Sequence, residues 1–84
     1  MPENKNSTEV LLQELIEHQQ TKVLKIAREI VPDVTPEDIR NPQDFPDLVA
    51  DSMFNYEDGI LTGYLTLQTA LRQQTRTDNP DSQL

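Results

Sequence analysis

Two segments of the chain carry apolar residues at alternating steps of four and three, the spacing of helices that pack against one another. The first segment runs from Thr8 to Val31, and its series has one polar member. The second runs from Asp47 to about Thr75. We therefore expect two long helices, over residues 8–31 and 47–75. The first series is Leu12, Ile16, Gln19, Val23, Ile26 and Ile30, and the second is Val49, Met53, Tyr56, Ile60, Gly63, Leu67 and Ala70.

The region between the two segments is rich in proline, which predicts a connector over residues 32–46. Pro32 should end the first helix near Val31, because the residue before a proline is disfavoured in helical conformation. Two later prolines follow residues that cap helix starts, in Thr35-Pro36 and Asn41-Pro42. We expect one short helical turn near residues 36–40 and another near 42–45. The apolar residues that would anchor this connector to the core are Ile39 and Phe45.

The continuity of the second helix is open at Asp58-Gly59, because Asp-Gly is a turn signal. The apolar spacing keeps its phase across this pair, which favours one long helix. A kink near residues 58–59 is the alternative.

These elements predict an all-α fold, a helical hairpin of two long helices joined by a proline-rich connector. The 84 residues form one domain, with flexible tails over residues 1–6 and 76–84. The apolar face is broadened on the first helix by Leu11, Leu15, Leu24 and Ala27, and on the second by Leu48, Phe54, Leu61, Tyr64 and Leu71. Both faces are therefore wider than a two-helix contact requires, so we expect two hairpins to complete a four-helix bundle as a homodimer. The expected self-association seam consists of Leu12, Ile16, Val23, Ile26, Ile30, Met53, Tyr56, Ile60 and Leu67.

Composition supports association as a source of stability. Only 35% of the residues are hydrophobic, and a chain this short has a thin core. It has no cysteine that could form a disulfide. Structural zinc sites use four cysteine or histidine ligands, and the single histidine, His18, does not supply such a set. A partner chain is the remaining way to complete the core.

The formal net charge is −8, which disfavours both nucleic acid and anionic membrane surfaces as ligands. The charge is concentrated in residues 32–58, where eight acids and one base give a net −7. This region is interpreted as a docking surface for a basic protein. Two alternatives are a solvated face that complements helix dipoles and a divalent-cation site. The candidate docking residues are Glu37, Asp38, Asp44, Asp47, Asp51, Glu57 and Asp58.

No motif for catalysis or cofactor binding is found. There is no cysteine, no second histidine and no glycine-rich phosphate loop. An EF-hand with Gly59 in its sixth position would place Phe54 and Tyr56 in ligand positions, so that interpretation fails. The sequence predicts a protein that is not an enzyme and that has no cofactor and no metal.

The expected function is that of a small acidic adaptor or regulator acting through helix–helix contacts and the acidic surface. Two alternatives stay open: an acidic inhibitor of the antitoxin or immunity type that covers a basic protein, and a bundle that binds metal through carboxylates. With no apolar signal-peptide core near the N-terminus and no run of about 20 apolar residues, we expect a cytoplasmic protein that makes no membrane contact.

Overall fold

The computed structural model describes residues 7–77, with side chains as far as Gln74, and over that range the chain is a helical hairpin. The elements are α1 (Ser7–Ile30), α2 (Pro36–Ile39), a 3₁₀ turn (Pro42–Asp44), α3 (Pro46–Val49) and α4 (Ser52–Thr77). No strand occurs between residues 7 and 77. The predicted fold class, two long helices joined by a proline-containing connector with short turns, is confirmed. The expected tail over residues 1–6 lies outside the described residues, as do positions 78–84 of the second tail.

The connector is built from local hydrogen bonds that follow its proline punctuation. The amide of Val31 still donates to the carbonyl of Ala27 at 2.7 Å, and the chain then turns. Thr35 caps α2 through a capping box, in which its hydroxyl accepts from the amide of Asp38 at 3.2 Å and the Asp38 carboxylate accepts from the amide of Thr35 at 3.0 Å. Ile39 is buried and Phe45 packs against the core, so both predicted anchors contact it.

The interruption in the second half of the chain lies at Ala50-Asp51, seven residues before the Asp58-Gly59 pair. Residues 46–49 form the short α3, and α4 begins afresh at Ser52. Asp51 caps this new start, because its carboxylate accepts from the amide of Phe54 at 2.7 Å. From there α4 runs unbroken through Gly59 to Thr77, so Arg76 and Thr77 belong to a helix where a tail was expected.

The two long helices pack antiparallel around a core that is one layer thick. Gln13 of α1 meets Gln68 of α4, and Gln19 meets Glu57, so residue numbers rise on one helix as they fall on the other. The connector closes one end of this core with Val34, Ile39 and Leu48. The buried apolar residues are Leu12, Ile16, Val23, Ala27, Val34, Ile39, Leu48, Phe54 and Leu61.

The face of α4 that packs on α1 differs by one residue from the predicted series. We name the observed set, Phe54, Glu57, Leu61, Tyr64, Gln68 and Leu71, the inner stripe; each member is buried or half-buried. The predicted set from Met53 onwards lies one residue earlier and is largely exposed. One residue is 100° of helical rotation, so the packing face is centred not on the predicted series but on residues expected only to broaden it: Phe54, Leu61, Tyr64 and Leu71. We name that set the outer stripe: Met53, Tyr56, Ile60, Gly63, Leu67 and Ala70.

The displacement has a physical reason in the polar members of the inner stripe. Glu57 is only 8% exposed, and its carboxylate and carbonyl both accept from the Gln19 side chain. The Gln68 side chain donates to Gln13 across the interface at 2.9 Å. A prediction from apolar spacing alone leaves out Glu57 and Gln68 because they are polar, and it takes the preceding residues, Tyr56 and Leu67, instead. Val49, the first member of the predicted series, lies outside α4 and is 48% exposed, while the adjacent Leu48 is fully buried.

Candidate functional site

The predicted self-association seam divides into two groups with different surroundings. The members on α1 face the core of their own chain, where Leu12, Ile16 and Val23 are buried and Ile26 and Ile30 pack against them. The hairpin itself covers Leu12, Ile16 and Val23, which corrects their assignment to a partner surface, while Ile26 and Ile30 stay half-buried. The members on α4 are Met53, Tyr56, Ile60 and Leu67, all on the outer stripe.

The outer stripe is an apolar surface that nothing within residues 7–77 covers. Met53 is 61% exposed, Tyr56 68% and Leu67 49%, and Ile60 is half-buried. A Cβ atom built on Gly63 would meet no other atom within 4 Å. Single exposed apolar residues are ordinary on protein surfaces, but a contiguous series at helical spacing is typical of a contact site.

Leu11 and Leu15 of α1 extend this surface onto the first helix. Both lie one residue before a core residue, as Tyr56, Ile60 and Leu67 do on α4. In an antiparallel pair the two preceding positions fall on the same flank of the hairpin. Lys22 also lies one residue before a core residue, Val23. Its ion pair with Glu57 shows that such a position on α1 lies near α4. Leu11 is 57% and Leu15 40% exposed. We name the outer stripe together with Leu11 and Leu15 the outer face.

The opposite flank of the hairpin carries a groove where the connector meets the two long helices. Its volume is about 480 Å³. Gln20 and Leu24 border it from α1, Ile39 from α2, and Leu61 and Leu65 from α4. This groove could not be predicted from the apolar pattern, because its walls come from three separate elements of the chain.

A buried polar cluster separates the two flanks at the middle of the interface. Gln19 donates to the Glu57 carboxylate at 2.8 Å and to its carbonyl at 2.9 Å. The Lys22 ammonium lies 3.2 Å from the other carboxylate oxygen. The hydrogen bond from Gln19, and secondarily Lys22, hold the pKa of Glu57 below its ordinary value despite partial burial, which acts to raise it.

The predicted acidic docking surface is smaller than the sequence suggested, because several of its members serve the fold. Glu57 pairs with Gln19 and Lys22 and is buried, which corrects its assignment to the surface. Asp38 completes a capping box and Asp51 caps α4. Burial raises the pKa of Asp58, which lies half-covered beside the core. The exposed members without a side-chain bond within the described residues are Glu37, Asp44 and Asp47.

The described residues hold no arrangement that suits a metal ion. Between residues 7 and 77, no three His, Asp or Glu side chains converge on one point. His18 is exposed on α1. No helix in this range is long and apolar enough to cross a membrane.

Comparison with known proteins adds no relative. No family model matches the chain, and neither does any curated protein or solved structure. Function is therefore argued from the surfaces described above.

Proposed function

We propose that this chain is a non-enzymatic protein-interaction module that binds a partner helix through the outer face and that forms a homodimer. The observation that supports this is the second apolar stripe on α4. The inner stripe already closes the hairpin core, so the outer stripe has no role in the fold of the single chain. Exposed apolar surface of this kind is retained in proteins where another surface covers it.

The composition of the outer face supports a protein partner over other ligands. Its members are aliphatic and aromatic side chains with a glycine among them, and no charge lies between Gly59 and Leu71. Interface centres are depleted of charged residues and enriched in tyrosine and methionine, both of which occur here as Tyr56 and Met53.

A photoreactive amino acid tests this proposal by position. Benzoylphenylalanine at Leu67 in the full chain should form covalent adducts with a protein, either this chain or another, in the host cell. The matched control places the same amino acid at Thr69, which is exposed and lies about 160° around the helix axis from Leu67. Adducts enriched at Leu67 support the proposal. Equal yields at the two positions, or none at Leu67, contradict it.

The three exposed connector acids support a second, subsidiary proposal, that a basic protein docks at the connector end of the hairpin. Glu37, Asp44 and Asp47 would steer such a partner rather than form its apolar contact. A photoreactive residue at the exposed Gln43 should yield adducts with a basic protein, and neutralising the three acids to amides should abolish them. A matched triple amide variant at Glu14, Glu17 and Glu29 should leave the adducts intact; an equal loss would point to net charge alone.

A further inference from the structure

We propose that the occupant of the outer face is a second copy of this chain, with its α4 antiparallel to the first across a twofold axis near residue 65. This inference rests on the proposed function, since it names the partner, the orientation and the register of the same face. Four properties of the described residues support it.

The first property is the absence of charge. Residues 59–71 contain no charged side chain, although the protein has a net charge of −8. A charged partner surface placed here would lose its hydration without gaining an ion pair. The fitting partner is an uncharged helical surface, and α4 of a second copy provides one.

The second property is the position of the acidic connector, which decides the orientation. Residues 32–58 have a net charge of −7 and lie at one end of the hairpin. An antiparallel pair with its axis at residue 65 places the two connectors at opposite ends, about 45 Å apart at 1.5 Å per residue. That separation exceeds the Debye length of about 8 Å several times over. A parallel pair would place the connectors side by side.

The third property is the order of large and small residues along the outer stripe. With the axis at residue 65, residues whose numbers add to 130 lie opposite each other. Gly63 then faces Leu67 of the second copy, and Ala70 faces Ile60. In these two pairs, which lie nearest the axis, a large side chain meets a small one, which lets the two helices approach closely there. Gly63 has open space around it within its own chain, so the single hairpin leaves this space unfilled.

The fourth property is the location of Leu11 and Leu15. The contact between Gln13 and Gln68 places these leucines beside the segment of α4 that surrounds the axis. The outer stripe alone covers a strip about 26 Å long and about 10 Å wide, which is small beside the roughly 800 Å² that each partner buries in a stable interface. Leu11 and Leu15 of both copies widen the contact. All four long helices then take part in a bundle.

Distances between spin labels test the orientation and the partner together. The chain has no cysteine, so single cysteines at Ser52, Thr62 or Thr66 can be labelled without ambiguity. In the antiparallel pair, the axial distance between the two labels grows by about 3 Å for each residue away from position 65. The axial distance should be about 3 Å at Thr66, about 9 Å at Thr62 and about 39 Å at Ser52. The measured distance combines this axial component with the sideways separation of the two helices.

Two results would overturn the proposal. Label distances that are equal at the three sites would show a parallel pair. The absence of any distance between copies, with a monomer mass at a concentration of hundreds of micromolar, would show that the second copy is not the partner. The photoreactive probe at Leu67 distinguishes these failures from failure of the proposed function. Adducts with another protein would contradict the second copy as partner but support the outer face as an interaction surface. The absence of adducts would contradict both proposals.

A glycine pair tests the register. Gly63→Leu fills the space expected to receive Leu67 of the second copy and should weaken dimerisation by about tenfold or more, because overpacking a closely fitted contact is unfavourable. Gly59→Leu makes the same change in helix propensity on a part of α4 turned further from the contact, and should change the dissociation constant by no more than about threefold. Equal effects of the two substitutions would contradict the register.

Discussion

The inner and outer stripes of α4 are one residue apart and nearly equal in apolar content, yet only one of them is covered. Phe54 and Leu61 on the inner stripe are 0% and 8% exposed, whereas Tyr56 and Leu67 on the outer stripe are 68% and 49% exposed. The inner stripe also contains the polar members Glu57 and Gln68, each of which has a specific partner on α1. The outer stripe contains no charge.

This difference shows that apolar spacing alone does not identify the packing face of a helix with two apolar sides. The hydrogen-bonded cluster of Gln19, Glu57 and Lys22 favours the observed rotation of α4 against α1, because another rotation would place apolar side chains against the buried Gln19 amide and leave it without an acceptor. The outer stripe has no such polar partner and is free to serve another chain.

The largest difference between the stripes should appear when one bulky side chain is removed from each. Phe54→Ala should lower the free energy of unfolding by about 3–5 kcal/mol, since the ring is fully buried and leaves a cavity. Met53→Ala, the adjacent residue on the outer stripe, should change it by less than about 0.5 kcal/mol at a concentration where the chain is monomeric. Urea unfolding followed by circular dichroism measures both. Comparable losses would mean that the packing face is misassigned.

A second contrast concerns acids that cap helices and acids that face solvent. Asp51→Ala removes the acceptor for the amide of Phe54 and should cost about 1 kcal/mol of stability. Asp47→Ala removes an exposed carboxylate in the first turn of α3 and should have a smaller effect. Urea unfolding of the two variants measures this difference in stability. A larger loss for Asp47 would show that the acidic connector is stabilised differently from this account.

A smaller effect, of opposite sign, is expected on the exposed side of α4. Gly59→Ala should stabilise the monomer by about 0.5–1 kcal/mol, because alanine favours the helix and a Cβ atom there meets nothing within 4 Å. Thermal unfolding at low protein concentration is the appropriate measurement. A destabilised variant would contradict the straight α4 of this structure and indicate that the helix bends at Gly59.

The smallest effects concern two adjacent acids that should respond to pH in opposite ways. The pKa of Glu57 is lowered in the folded chain, so its stabilisation is present above the pKa of the unfolded chain and is lost as the pH falls through the folded value. Burial raises the pKa of Asp58, so this group opposes folding near neutral pH and its penalty disappears on acidification.

Glu57→Gln should therefore destabilise the protein at pH 7 and have less effect near pH 3. Asp58→Asn should stabilise it at pH 7 and again have less effect near pH 3. Unfolding free energies of both variants across this range measure the two trends. If both acids gave the same sign at neutral pH, the assignment of Glu57 to the interior and Asp58 to its edge would fail.

The sequence predicted the hairpin because its strongest signals are local. Pro32 ends α1, Thr35 and Pro36 start α2, and the apolar residues of α1 coincide with its buried face, including Gln19 at the position predicted for it. In these places the nearest residues along the chain decide the conformation.

The rotation of α4 and the position of its start were not predictable in the same way. The rotation depends on Gln19, 38 positions before Glu57 in the chain, and no local pattern connects the two. The start at Ser52 depends on the Asp51 carboxylate, which the sequence alone groups with the acids of the expected docking surface. Acids that cap helices and acids that stay exposed are the same residue types, and only the folded structure distinguishes them.

Sedimentation equilibrium of the full chain tests the central claim most directly, since that claim is that the outer stripe is a contact surface. The unmodified chain should sediment as a dimer at micromolar concentration. Leu67→Glu should sediment as a folded monomer of 9.6 kDa. Thr69→Glu adds the same charge at an exposed position about 160° around the helix from Leu67 and should remain a dimer. An unmodified chain that stays monomeric and unfolds cooperatively, or a Leu67→Glu variant that dimerises as well as Thr69→Glu, would contradict the central claim.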